Sequence, residues 1–148
     1  MKTSEKIDLI SAALLAAQRE VENASKDAKN PHFKNSYASL GSVIEATKGP
    51  LNKAGIVVLQ TLGDGGDRVH LTTRLLHTSG QWIEDTASSP LPKADPQGVG
   101  SATTYLRRYA LAAFLCITQE DDDGEAARPA NPVVKNYVPK PVQKDDPF

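Results

Sequence analysis

Cysteine is almost missing from this chain. Cys116 stands alone among 148 residues, which excludes an intramolecular disulfide and any zinc site built on several cysteines. The three histidines, His32, His70 and His77, lack the spacing of metal ligands. No apolar run approaches the ~20 residues that span a bilayer. The N-terminal stretch carries acids within its apolar part and continues as an amphipathic pattern, so it does not read as a signal peptide. Neither sign of charge dominates, the formal net charge being -1. The expectation is a cytoplasmic protein without a resident metal, cofactor or membrane partner.

What is present suffices for one domain. Hydrophobic residues make up 39% and charged residues 24%, enough for a core and against wholesale disorder. Charge is unevenly placed. Residues 1–119 hold 13 Lys/Arg against 11 Asp/Glu, and residues 120–148 hold 4 against 7. The body is mildly basic and the tail acidic. Residues 125–148 carry five of the ten prolines and little periodicity, so they read as a flexible tail ending in an acidic Asp-Asp-Pro-Phe tip, with the folded domain over 1–124.

Periodicity predicts an α+β fold. Ile7, Ile10, Leu14, Ala17 and Val21 recur at helical steps over 5–22, with Ser4 or Thr3 as the expected cap. Residues 26–38 read as loop. Leu40, Val43, Ile44, Thr47 and Leu51 predict a second helix over 39–54, disturbed at its end by Gly49-Pro50. Three strands follow: Ile56 to Leu62, Arg68 to His77 and Gln81 to Ser88, joined by the glycine-rich segment 63–67 and by Ser79-Gly80. They make a small antiparallel three-stranded β-meander whose one face needs a cover. The cover is a helix over 99–117, with Ala102, Tyr105, Leu106, Tyr109, Ala112, Ala113 and Cys116 as its apolar stripe, entered through a long loop over 89–100.

Catalytic signatures are scarce. The turn at 63–66 joins two strands, whereas a phosphate loop passes from strand to helix. Gly98-Val99-Gly100-Ser101 opens a helix and reads either as a structural turn or as an anion-binding terminus, but it lacks the Lys-Ser/Thr of a triphosphate loop. The run Glu120-Asp121-Asp122-Asp123 reads as a solvated cap, a weak metal contact or a contact with the chain's own basic surface. A non-enzymatic protein is expected.

The basic residues are more informative. Arg107 and Arg108 sit mid-helix between Tyr105 and Tyr109. Both cannot be buried without partners, so they either solvate the helix or bind an anion. Lys29, Lys34, Phe33 and Tyr37 form a second basic-aromatic patch, with Tyr37 either core or stacking platform. Arg68 and Arg74 share one face of the central strand. A groove lined by these residues would track a phosphate backbone and stack exposed bases.

The segment Thr104-Tyr105-Leu106-Arg107-Arg108-Tyr109-Ala110-Leu111, followed by Glu120-Asp121-Asp122-Asp123-Gly124, resembles the Erf family of phage single-strand annealing recombinases. Asn35-Ser36-Tyr37-Ala38-Ser39-Leu40, Pro50-Leu51, Gly55-Ile56, Gln60, His77-Thr78-Ser79-Gly80 and Trp82 follow the family in order, so the likeness covers about residues 5–124. The resemblance implies a Rad52-like annealing fold, ring-forming homo-oligomers, and ATP-independent binding and annealing of single-stranded DNA in phage or prophage recombination. The alternative is an oligomeric structural or regulatory DNA-associated protein without annealing activity. The resemblance implies importance for Arg107, Arg108 and Tyr109, the last as a structural residue. It departs at Cys116, where glycine is common in relatives and a small buried cysteine would fill the space. The candidate DNA contacts are Arg107, Arg108, Lys34, Tyr37, Arg74, Lys29 and Arg68. The tip Asp145, Asp146, Pro147 and Phe148 resembles the acidic terminus by which bacterial single-stranded-DNA-binding proteins recruit partners. It reads as a solvated end, as a contact for a host replication or repair protein, or as an autoinhibitory mimic of DNA.

Overall fold

The computed structural model describes residues 1–29, 36–63 and 65–118. Its elements run β1 (Lys2–Thr3), α1 (Asp8–Glu20), β2 (Ala28–Lys29), β3 (Ser36–Tyr37), α2 (Leu40–Lys53), β4 (Ile56–Gly63), β5 (Arg68–His77), β6 (Trp82–Pro90) and α3 (Pro96–Leu115). The fold is α+β, a small antiparallel sheet with helices on one face.

The meander is built as its alternation demands. β5 lies between β4 and β6, with Leu59 opposite Arg74 and Arg74 opposite Glu84. Val69, Leu71, Thr73 and Leu75 are buried beneath the helices. Arg68, His70, Thr72, Arg74 and Leu76 point to the other face. Gly66, at φ +59°, lets the β4–β5 hairpin turn. Gly80, at φ +85°, does the same between β5 and β6.

A fourth strand lies outside the expected meander. β1 adds to the outer edge of β6, pairing Lys2 with Glu84 and Thr3 with Ile83. Ser4 therefore does not cap α1. Its backbone N–H donates to the Trp82 carbonyl at 2.9 Å, and its Oγ accepts from the Trp82 N–H at 3.0 Å. The α1 cap comes from far along the chain: Gln81 Oε1 accepts from the N–H groups of Leu9 and Ile10 at 2.9 and 3.0 Å. Orphan donors at a helix start need such an acceptor.

The expected 26–38 loop holds β2 and β3, a two-residue antiparallel pair with Ala28 opposite Tyr37. Asp27 just before it grips the start of α2. Its carboxylate accepts from the Ser39 N–H at 2.8 Å and the Ser39 Oγ at 2.6 Å, while Ser39 Oγ accepts from the Ser42 N–H. α2 continues through Gly49 and Pro50 to Lys53, later than the expected disturbance.

α3 begins earlier than expected. Asp95 caps it by accepting from the Gly98 N–H at 2.7 Å, and Pro96 takes the first turn. Gly98 and Gly100 are thus helical, and the loop before them is shorter. A Cβ at Gly98 would collide with the Lys93 carbonyl, so the loop packs against bare backbone. The stripe on α3 is also rotated from the expected one. Ala102, Leu106, Leu111, Ala112 and Leu115 are buried, whereas Tyr105 is 50% exposed.

Two clusters fill the interior. Ile10, Ala17, Val43, Leu51, Ile56, Leu75, Leu111 and Leu115 join all three helices to β4 and β5. Ala102 and Leu106 sit on Val69 and Leu71. Two grooves lined in part by α3 run beside it.

Candidate nucleic-acid interface

Arg107 and Arg108 are consecutive on α3, about 100° apart around its axis. They face different surroundings. On one flank, Arg107 Nε donates to Gln60 Oε1 at 3.2 Å. Gln60 Nε2 returns a bond to the Arg107 carbonyl at 3.1 Å and another to Thr73 Oγ1 at 3.1 Å. Gln60 lies on the inward side of β4, after Ile56 and Val58, where a polar side chain must find partners. It ties α3 to β4 and β5. Among the described residues no acceptor is bonded to the Arg107 Nη groups. Arg107 borders a groove of about 580 Å³ lined also by Lys48, Asn52, Val57 and Leu59.

On the other flank, Arg108 Nη1 donates to the Ala38 carbonyl at 3.2 Å. Its guanidinium lies over the Tyr37 ring at 4.6 Å and the Tyr109 ring at 4.8 Å. Among the described residues, its Nε is buried without a hydrogen-bond partner. Tyr105 rests against Tyr109, ring centres 4.2 Å apart. Tyr37, Tyr105 and Arg108 border a second cavity of about 550 Å³.

The structure therefore brings Tyr37 to Arg108 but does not gather the predicted residues into one groove. Arg68 and Arg74 project from the sheet face opposite to α3. Arg74 is held by Glu84, with Nη2 at 2.6 Å and Nε at 2.7 Å from Oε2, and stacks over Trp82 at 4.4 Å. Arg68 donates to Ser88 Oγ at 3.1 Å. Lys29 is exposed on β2, beside the strand that carries Tyr37. Lys34, the run Glu120–Asp123 and the tip Asp145, Asp146, Pro147 and Phe148 lie outside the described residues.

Cys116 is exposed, not buried. It sits at the C-cap of α3 with φ +55°, a left-handed position that explains why glycine suits it. Lys48 and Tyr105 line the two grooves but lie outside the predicted set of contacts. Sequence reasoning met Gln60 only through the resemblance, although a lone polar residue on the inward side of an apolar strand was a usable signal.

The profile of the ERF superfamily matches residues 10–146, nearly the whole chain. The chain belongs to the ERF superfamily. Membership gives this ERF protein a role associated with DNA recombination. No curated protein and no solved structure matches it. Among the described residues, no group of three or more His, Cys, Asp or Glu side chains converges, and no helix is long and apolar enough to cross a membrane.

Proposed function

We propose that this ERF protein binds single-stranded DNA and anneals complementary strands without ATP, during phage or prophage homologous recombination in the bacterial host cytoplasm. One observation carries the reading. Two adjacent arginines are anchored by separate frameworks and border grooves on opposite flanks of one helix. Anchored cations lose little freedom on meeting a phosphate, and phosphate contacts carry no sequence information. Annealing takes its free energy from base pairing, so the protein's task is to neutralise one strand and leave its bases available.

Self-association belongs to the same reading. Among the described residues, β4 is an edge strand of eight residues with no charge and no proline. Val57, Leu59 and Leu62 are 47%, 42% and 56% exposed. Such an edge invites pairing with another chain, and a head-to-tail contact repeated by rotation closes a ring. The same edge favours the second reading, a structural or regulatory oligomer without annealing activity. The Asp145–Phe148 tip would recruit a host replication or repair protein, and its removal would abolish that contact.

The test is a titration of labelled single-stranded and duplex oligonucleotides at two salt concentrations, with mass measured on the same sample. The reading expects an oligomer that prefers single strands and loses affinity steeply with salt. A folded protein with no affinity for single strands contradicts it.

A further inference from the structure

We infer that Tyr105 is a stacking platform for an unpaired nucleobase, seated in the cavity between α3 and the β3–α2 junction. The inference rests on the DNA-binding reading above and names what one of the two grooves holds.

The cavity wall is one face of α3. Gln97, Gly100, Thr104, Tyr105 and Arg108 follow one another at steps of three, four, one and three residues, and Tyr37 closes the far side. Its volume, about 550 Å³, lies in the range that accepts a small organic ligand. Tyr105 is half exposed although a tyrosine ring gains from burial. It is nevertheless held in place, because Tyr109 braces it at 4.2 Å and Arg108 lies over Tyr109 in turn. A braced ring with an open side offers stacking area at little entropic cost. Gln97 supplies an amide that can both donate and accept, which suits the edge of a base without demanding one base in particular.

Gly100, on the wall of the same cavity, adds to this. It lies inside α3, where glycine costs about 1 kcal/mol against alanine. Neither its backbone angles nor its packing requires glycine: φ is not positive, and an added Cβ would meet nothing within 4 Å. The missing side chain leaves space in the cavity rather than closing a contact. A helix that gives up stability to keep a hollow beside an exposed aromatic ring and a cation fits a flat, anionic ligand. A nucleotide within a single strand has that chemistry, the base on Tyr105 and a neighbouring phosphate near Arg108.

The test measures affinity of the full chain for a labelled oligothymidine and for an abasic strand of equal length. Wild type, Y105A, Y105F and G100L are compared across a salt series. Wild type is expected to bind the thymidine strand about tenfold more tightly than the abasic one. Y105A loses about that factor on thymidine, little on the abasic strand, and keeps the salt slope. Y105F retains binding. G100L unfolds at a higher temperature than wild type yet binds thymidine more weakly, which separates blockage from misfolding. Equal wild-type affinity for the two strands overturns the inference. So does unaltered binding by G100L, or a Y105A loss that is equal on both strands or accompanied by a changed oligomer mass, which would make Tyr105 a subunit contact. If wild type binds neither strand, the proposed function falls first and this inference with it.

Discussion

Gln60 and Arg107 hold each other twice. The Arg107 Nε donates to the Gln60 side-chain oxygen at 3.2 Å, and the Gln60 amide donates to the Arg107 carbonyl at 3.1 Å. The pair spans 47 residues of sequence and fixes the middle of α3 over the edge strand β4. Arg107 also lines the α2–β4–α3 groove.

Gln60→Ala removes these two bonds and the one to Thr73 Oγ1, whose residue is fully buried. Stability is expected to fall by about 2 kcal/mol, because a buried hydroxyl loses its partner. The urea midpoint should drop with an unchanged slope of free energy against urea. The charge of the groove is unaltered, so the salt dependence of DNA binding should stay as in wild type.

Arg107→Gln and Arg108→Gln are expected to differ in kind. If each meets one phosphate, as proposed, each substitution should lower the slope of log K against log salt by about 0.7. Arg107→Gln loses the Nε bond to Gln60 Oε1, costing about 1 kcal/mol, but keeps the Gln60 bonds to the residue 107 carbonyl and to Thr73. Arg108→Gln also loses its place over Tyr37 and Tyr109 and its bond to Ala38, costing about 1 kcal/mol. Lysine at 108 restores the charge but not the planar stack. Anisotropy titrations in a salt series, with a melt on each variant, check both statements.

Cys116→Gly is expected to stabilise the domain by about 1 kcal/mol, since the residue occupies a left-handed cap at φ +55° with its side chain exposed. Chemical denaturation measures it directly. A glycine variant less stable than wild type would mean that the thiol makes a contact worth more than the backbone strain.

The Asp27 carboxyl is held below the ordinary aspartate range by its hydrogen bond from the Ser39 hydroxyl first, then by the Ser39 N–H. A depressed folded-state value means the contact contributes fully above the unfolded value of about 3.9. It is lost as pH falls through the folded value. Near-neutral pH therefore leaves the start of α2 unaffected, and acid below about pH 4 loosens it. A carboxyl NMR titration should place Asp27 below the free amino acid side chain. An Asp27 value at or above 3.9 would remove this account of the α2 start.

Much of the fold was legible, and the exceptions share a cause. The meander was readable because alternation of period two and glycine turns are local signals, and the register pairs Leu75 with Ile83 as that alternation requires. β1 was not readable, because two residues pair with a strand some 80 positions away. Nor was the Gln81 cap, for the same reason. On α3 the stripe was misjudged because Tyr105 counted as apolar, while its ring in fact leans on Tyr109 and leaves one side open. The arginine pair stood out in the sequence. Its division between two grooves did not, since that depends on Gln60 and Tyr37 arriving from other elements. Arg74 shared the basic character of the pair, but strand alternation placed it on the opposite sheet face, where Glu84 already holds it.

The most direct test of the account is the rate at which two complementary labelled oligonucleotides pair in the presence of this protein, with no ATP and no added metal, at low and moderate salt. The account predicts pairing much faster than that of protein-free DNA, slowed by salt and by substitution of Arg107 and Arg108. Pairing no faster than without protein, at concentrations where the folded chain is oligomeric, would contradict it.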